Sequence, residues 1–363
     1  SPTQMSDSQN DITHDVVPSY GTRARMMWIP TRGAFRVGQL DLLGNDKNWD
    51  DSNVGIHSIG IGSNTYASHY STAIGYNTQA GQTRDSATDP LHSDRMYSVS
   101  VGQDIVNREH NSVAIGTFIV HNTGDAIYPG KSGSPREDLL SIGKTIHNKA
   151  NKAVAIGFDL EIAGEAEGPK NAENSLAIGR EIDIKQDAKY SIAIGKNLNF
   201  TNTNSSSTNN TAFGRDITFS GSTNTNNNSA FGRDITFSSS GTKTNTTVLG
   251  RNISVQGNQS TMFALGDDIT ISNQSSSSSF FGRKIVSNGN SPSAFAIGDN
   301  VRLTSRNTSA FVMGKNITLS NTGSGSVSFG QNIYMSGSST GLALGTNIDV
   351  SKSGTAIGKS VSA

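Results

Sequence analysis

From residue 62 to residue 358 the chain returns repeatedly to a glycine that follows a large apolar residue. The glycines are Gly62, Gly75, Gly102, Gly116, Gly143, Gly157, Gly179, Gly195, Gly214, Gly232, Gly250, Gly266, Gly282, Gly298, Gly314, Gly330, Gly345 and Gly358. Between Gly250 and Gly330 the interval is a constant 16 residues; elsewhere it runs mostly from 13 to 19, and two intervals of 27 read as double units with a degenerate middle. A period of this size is the mark of a stacked array, because one unit cannot bury its apolar face without its neighbours.

Aligned on the glycine, the units show columns. The residue just before it is large and apolar, as in Ile115, Ile156, Ile178, Ile194, Phe213 and Leu265, and a second apolar column lies two places earlier, as in Val113, Val154 and Phe263. The residue between is small. A third column follows three places after the glycine, with Ile119, Ile217, Ile235, Ile253, Ile269 and Ile317, and often a fourth two places later. Spacing of two is strand spacing. Each unit therefore reads as two short strands bent at the glycine, with Gly116, Gly157, Gly179, Gly195, Gly250 and Gly266 as the turn residues and Val113, Ile115, Ile156, Ile178 and Ile194 among the core. Asp or Asn two places after the glycine (Asp216, Asp234, Asn252, Asp268) suits a left-handed corner. Strands stacked about 4.8 Å apart in this way make an all-β parallel solenoid of about 18 short coils.

Composition agrees with economical burial: of 363 residues 33% are hydrophobic and 7% aromatic. The 29 basic and 29 acidic residues balance, so no overall field draws the chain to nucleic acid. With no cysteine there is no thiol catalysis and no disulfide staple. No apolar run is long enough for a membrane-spanning helix. The opening SPTQMSDSQND has neither the basic start nor the apolar centre of a signal peptide, so Ser1 reads as a mature or an expression start.

The segments NSVAIG (Asn111–Gly116), KAVAIG (Lys152–Gly157), NSLAIG (Asn174–Gly179), YSIAIG (Tyr190–Gly195) and YSTAIGYNTQAG (Tyr70–Gly81) resemble the head repeats of trimeric autotransporter adhesins of the YadA type. The resemblance covers residues 58–363. It implies a left-handed parallel β-roll, three chains side by side, and a head on the bacterial cell surface, outside the cell, that binds host matrix protein, glycan or other cells. The chain departs from that pattern in its longer repeats after Gly179, with Asn/Ser/Thr-rich corners and frequent Phe for Ile. It also shows no neck, coiled-coil stalk or anchor before Ala363, and so reads as a head fragment or as a head attached in another way.

Residues 1–24 read as an extension and residues 25–57 as an N-terminal cap. The stretch from Arg25 to Ser68 resembles caps ahead of such repeats in bacterial surface and tail-fibre proteins, and it holds both Trp28 and Trp49. It is expected to seal the open end of the solenoid, with a ligand-binding tip as the alternative. The four apolar columns exceed what one narrow interior needs, so some are expected to face partner chains in a homotrimer.

Catalysis has little to stand on: no Ser/His/Asp set is distinguished, no glycine opens a phosphate loop, and no cofactor is implied. The seven histidines (His14, His57, His69, His92, His110, His121, His147) match no metal-ligand spacing and share no register with the repeat. A basic column one place after the glycine (Arg180, Lys196, Arg215, Arg233, Arg251, Arg283, Lys315, Lys359) is expected to be neutralised by neighbouring Asp. Two insertions, near 79–97 and 121–139, are the candidates for ligand specificity, and Tyr97, Tyr128 and Arg136 are the residues in them singled out for contact. The expected function is that of an extracellular adhesin head. The alternatives are a tail-fibre or filament subunit and, as a minor reading, an ice-binding face of Thr218, Ser220, Thr236 and Ser238 interrupted by Arg302 and Tyr334.

Overall fold

A computed structural model describes residues 24–39, 49, 54–81, 97–121, 138–148, 150, 152–162, 174–184, 188–199, 207–218, 220, 225–236, 238, 243–256, 259–272, 275–286, 288, 293–302, 304, 309–316, 318, 320, 325–336, 341–350 and 355–362. The expected extension, most of both insertions, and Tyr128, Arg136 and Ile317 lie outside them. The chain divides into two compact units, Ser1–Glu181 and Ile182–Ala363.

In the first unit an antiparallel hairpin, β1 (Arg25–Ile29) and β2 (Ala34–Gln39), precedes the coils. Its turn is Pro30–Arg32 closed by Gly33 in the left-handed region. Parallel pairing then runs through β3 (Ile59–Ser63), β4 (Tyr66–Ala67), β5 (Thr72–Ala80), β6 (Val99–Asn107), β7 (Val113–His121), β8 (Leu140–Asn148), β9 (Val154–Ile162) and β10 (Leu176–Arg180). The register is strict: glycine faces glycine in every layer, Gly75 with Gly102, Gly102 with Gly116, Gly116 with Gly143 and Gly143 with Gly157. The second unit repeats this scheme, with Gly195 against Gly214, Gly214 against Gly232 and Gly232 against Gly250. Both units are parallel β-solenoids.

Three features differ from the sequence reading. Each 27-residue interval is one layer carrying an inserted segment, not a double unit, because Gly75 pairs directly with Gly102 and Gly116 with Gly143. Among the described residues the solenoid has about 12 turns rather than about 18. The difference lies mostly in layers held by shorter ladders or isolated bridges, such as Val327–Ser328 on Leu342–Ala343 and Ala343 on Ala356. Finally, the chain does not bend at the glycine in the first unit: β7 runs through Gly116 for nine residues, and the left-handed corner falls two places later, at Phe118 (φ 55°).

Glycine is required for a different reason. Gly116 has φ 140°, and a Cβ there would overlap the carbonyl oxygen of Gly143 in the next layer. The column is thus a seam of close backbone approach, open only to a residue without a side chain. The corners use Asx chemistry. Asp216, Asp234, Asn252 and Asp268 all have φ between 55° and 59°, a region these side chains tolerate better than most. In the second unit corner amides also bond between layers, Asn347 to Asn332 at 3.3 Å and Asn332 to Asn316 at 3.2 Å.

Candidate interaction surface

The alternation of side chains decides what the coil keeps and what it presents. In β7 the small residue Ala114 is fully buried, while Ile115 beside it is 39% exposed and Val113 is half-buried. Ala155, Ala177, Ala193, Ala212 and Ala230 repeat this inward position in their layers. Ile156, Ile178 and Ile194 are half-buried, like Val113. The expectation that Val113, Ile115 and their equivalents form the coil core is therefore corrected for the single chain: the small column points in and the large columns point out. The inward position is small in most layers, Ala or Ser, although Val248, Phe280 and Val312 fill it, fully buried, in single layers of the second unit. The column three places after the glycine supplies the bulk of the interior, with Ile105, Ile119, Ile146, Ile217, Ile235, Ile253 and Ile269 all at 0% exposure.

The outward columns form a continuous apolar stripe on each unit. In the first unit it is aliphatic, with Val99, Val113, Leu140 and Val154 in one row and Val101, Ile115, Ile142 and Ile156 in the other, held in register by the parallel pairing. In the second unit it is largely aromatic. Phe213 and Phe231 stack at 5.3 Å, and Phe263, Phe281, Phe295, Phe311 and Phe329 form a chain of ring contacts at 5.0–5.6 Å. Apolar strips of this extent on a chain surface mark contact sites.

Neither a protein-family model nor a curated protein matches this chain.

Of the three residues singled out for ligand contact, Tyr97 alone is described. It is 46% exposed at a corner five places before Gly102, with φ 44°. Its ring lies 5.3 Å from Tyr70, which lies 5.2 Å from His57, and both of these also have positive φ. Three bulky residues in successive layers thus hold a backbone conformation that Asn111 and Asn174 adopt at less cost in later layers. Tyr97 closes the first insertion and stands partly exposed where the chain re-enters the Gly102 layer.

The basic column is partly neutralised within the chain. Arg215 Nε meets Asp216 at 2.9 Å, Arg233 Nε meets Asp234 at 3.0 Å, and Arg283 Nε meets Asp267 at 3.6 Å, with all six side chains substantially exposed. Such pairs contribute little to stability. In the first unit Lys144 and Arg180 lie over the Phe158 ring at 5.6 and 5.3 Å. Among the described residues no three His, Asp or Glu side chains converge as metal ligands.

Two buried polar groups escaped the sequence reading. His121 falls in the repeat register after all, five places after Gly116 and between Asn107 and Asn148 in adjacent layers. It is fully buried, with Nδ1 3.1 Å from Asn107 Oδ1 and Nε2 2.6 Å from the Ser141 hydroxyl. Burial without a carboxylate partner pushes its pKa down to about 3. The matching polar positions in the neighbouring layers were the available signal. Arg36, also fully buried, fills the first layer at the inward position that Ala takes in many later layers. Its guanidinium donates to the carbonyls of Phe35, Ser58 and Ala67 and to the Ser58 hydroxyl at 2.8–3.1 Å. Burial lowers its pKa to about 10, which leaves it charged at neutral pH. Gly60 makes room for it, since a Cβ there would lie 2.9 Å from Arg36 Cδ.

Proposed function

We propose that this chain is the head of a trimeric surface adhesin of the YadA type: a left-handed β-roll that associates side by side with two copies of itself and attaches the cell to host matrix protein, glycan or another cell. The observation that carries the reading is the outward apolar stripe. A solenoid whose interior is already filled by Ala and Ile has no internal use for a second set of large apolar columns, and the head-repeat resemblance supplies the arrangement that would cover them. On the first unit alone the two rows extend about 38 Å over nine strands and about 10 Å across, on the order of 400 Å². That is within the size range of the largest apolar patch on a single chain, and such patches often serve contacts. Three copies would present each exposed corner and insertion three times, so weak single contacts add up to firm attachment.

The test has two arms. Sedimentation equilibrium is expected to give three times the chain mass, and Ile115→Glu with Ile156→Glu is expected to give a folded monomer. Binding is then read on immobilised matrix proteins, glycans and whole cells, where the assembled form is expected to bind and the monomeric variant to lose most of its avidity. A wild-type chain that remains a monomer at high concentration refutes the trimer, and an assembled chain that binds none of these surfaces refutes adhesion.

A further inference from the structure

The outward stripe does not end at the first coil. The β1–β2 register sets Trp28 opposite Phe35 and Met26 opposite Val37. β2 then sets Phe35 beside Ile59 and Val37 beside Ile61, and β3 continues to Thr72 and Ile74. Directly opposed residues share a face of a sheet. Trp28 and Met26 are therefore the first members of the two outward rows that later contain Val113 and Ile115. They are also among the most exposed large apolar side chains of the described residues, at 57% and 59%.

The opposite face of this hairpin is buried. Ile29 and Ala34 are buried with Val54, Met27 packs against that cluster, and Arg36 occupies the interior. Trp49, whose indole N–H bonds to the Thr65 carbonyl at 2.9 Å, is buried as well. Trp28 and Met26 take no part in that packing. Their neighbours on the outward face, Phe35, Val37, Ile59 and Ile61, carry no charge, so the patch suits another apolar surface better than a charged polymer.

We infer that the outward face of the hairpin is part of the contact between copies of this chain, with Trp28 as its anchor and a second copy as the occupant. The assignment rests on the reading of the stripe as a surface between chains, and extends it to the hairpin that precedes the coils. Continuity points to the occupant: Met26, Val37, Ile61, Ile74 and Val101 form one apolar row, and Trp28, Phe35 and Ile59 lead the other up to Thr72, so a copy seated on Ile74 and Ile115 lies next to Trp28 and Met26. A large aromatic at the end of such a strip is the type of side chain that concentrates association energy.

The experiment measures association and the state of Trp28 together. Trp28→Ala is expected to leave the secondary structure of the chain unchanged, because the side chain is exposed, and to weaken association by about 30-fold or more. The difference in emission between wild type and Trp28→Phe isolates Trp28 while leaving Trp49 in place. Trp28 is expected to be shielded from iodide in the assembled protein and to become quenchable on dilution below the dissociation concentration. An assembled wild type with Trp28 freely quenched, and with association unchanged in Trp28→Ala, overturns the hairpin assignment and leaves the stripe reading intact. A variant that stays assembled but loses attachment to its target also overturns it, making this face a ligand tip. A wild type that never associates removes both readings, and Ile115→Glu reports on the stripe independently.

Discussion

Acid is expected to destabilise the first unit through one side chain, His121. Its ring is fully buried, donates through Nδ1 to Asn107 Oδ1 and accepts from the Ser141 hydroxyl at Nε2, so the neutral form is satisfied at both nitrogens. Both partners are uncharged, and Ser141 is in turn held by Asn148 at 3.3 Å. A proton added at Nε2 puts an uncompensated charge in the interior and removes the acceptor that Ser141 uses. The folded pKa of about 3 lies below the ordinary value of 6.5, so the contribution is fully present above pH 6.5 and is lost as pH falls toward 3. The drop from 6.5 to about 3 corresponds to on the order of 5 kcal/mol, roughly half of which is gone by pH 4.5. Urea unfolding at pH 7.5, 6.5, 5.5 and 4.5 measures this directly. His121→Asn supplies the control, because Asn107 and Asn148 occupy the same position in the adjacent layers. The variant is expected to show a pH slope shallower by about 1.4 kcal/mol per unit below pH 6. Equal slopes in the two proteins, or a His121 resonance titrating near 6.5 in the folded state, would refute the reasoning.

Gly116→Ala is expected to cost more than about 3 kcal/mol in thermal or urea unfolding, since a Cβ there meets the Gly143 carbonyl. Gly325→Ala, with positive φ but no atom within 4 Å, is expected to cost about 1 kcal/mol. Ala155→Leu, pointing into the coil, is expected to lose about 1–3 kcal/mol by overpacking, while Ile156→Leu one place along stays under about 1.5 kcal/mol; equal effects would show that the facing of the strand is wrong. Asp216→Gly is expected to be nearly neutral and Asp216→Ala to cost about 1 kcal/mol in the same melts, because only the backbone at φ 58° distinguishes them.

The glycine period, the spacing of two and the Asx corners were legible in the chain because they are local requirements repeated many times. Each layer demands the same close approach at the glycine and the same left-handed corner, and repetition turns a weak signal into a strong one. The corners at Asp216 and Asn252 could be named in advance for that reason. The aromatic corner of His57, Tyr70 and Tyr97 could not, since tyrosine has no preference for positive φ and only the ring contacts across layers join the three. The 27-residue intervals misled because an insertion and a degenerate unit give the same spacing.

The sequence by itself determined that this chain stacks short parallel strands in layers with a glycine seam, because the period and the residue types at the seam admit little else. Only the tertiary structure decided which way each column faces. Period two fixes that Ala114 and Ile115 lie on opposite sides of the strand, but not which side is inside. That choice depends on how close the second strand of the same coil lies, a distance set between segments and absent from the spacing. It places Ala114 within the coil, turns Ile115 outward, and leaves Met26 at the end of Ile115's row and Trp28 at the end of the row of Val113.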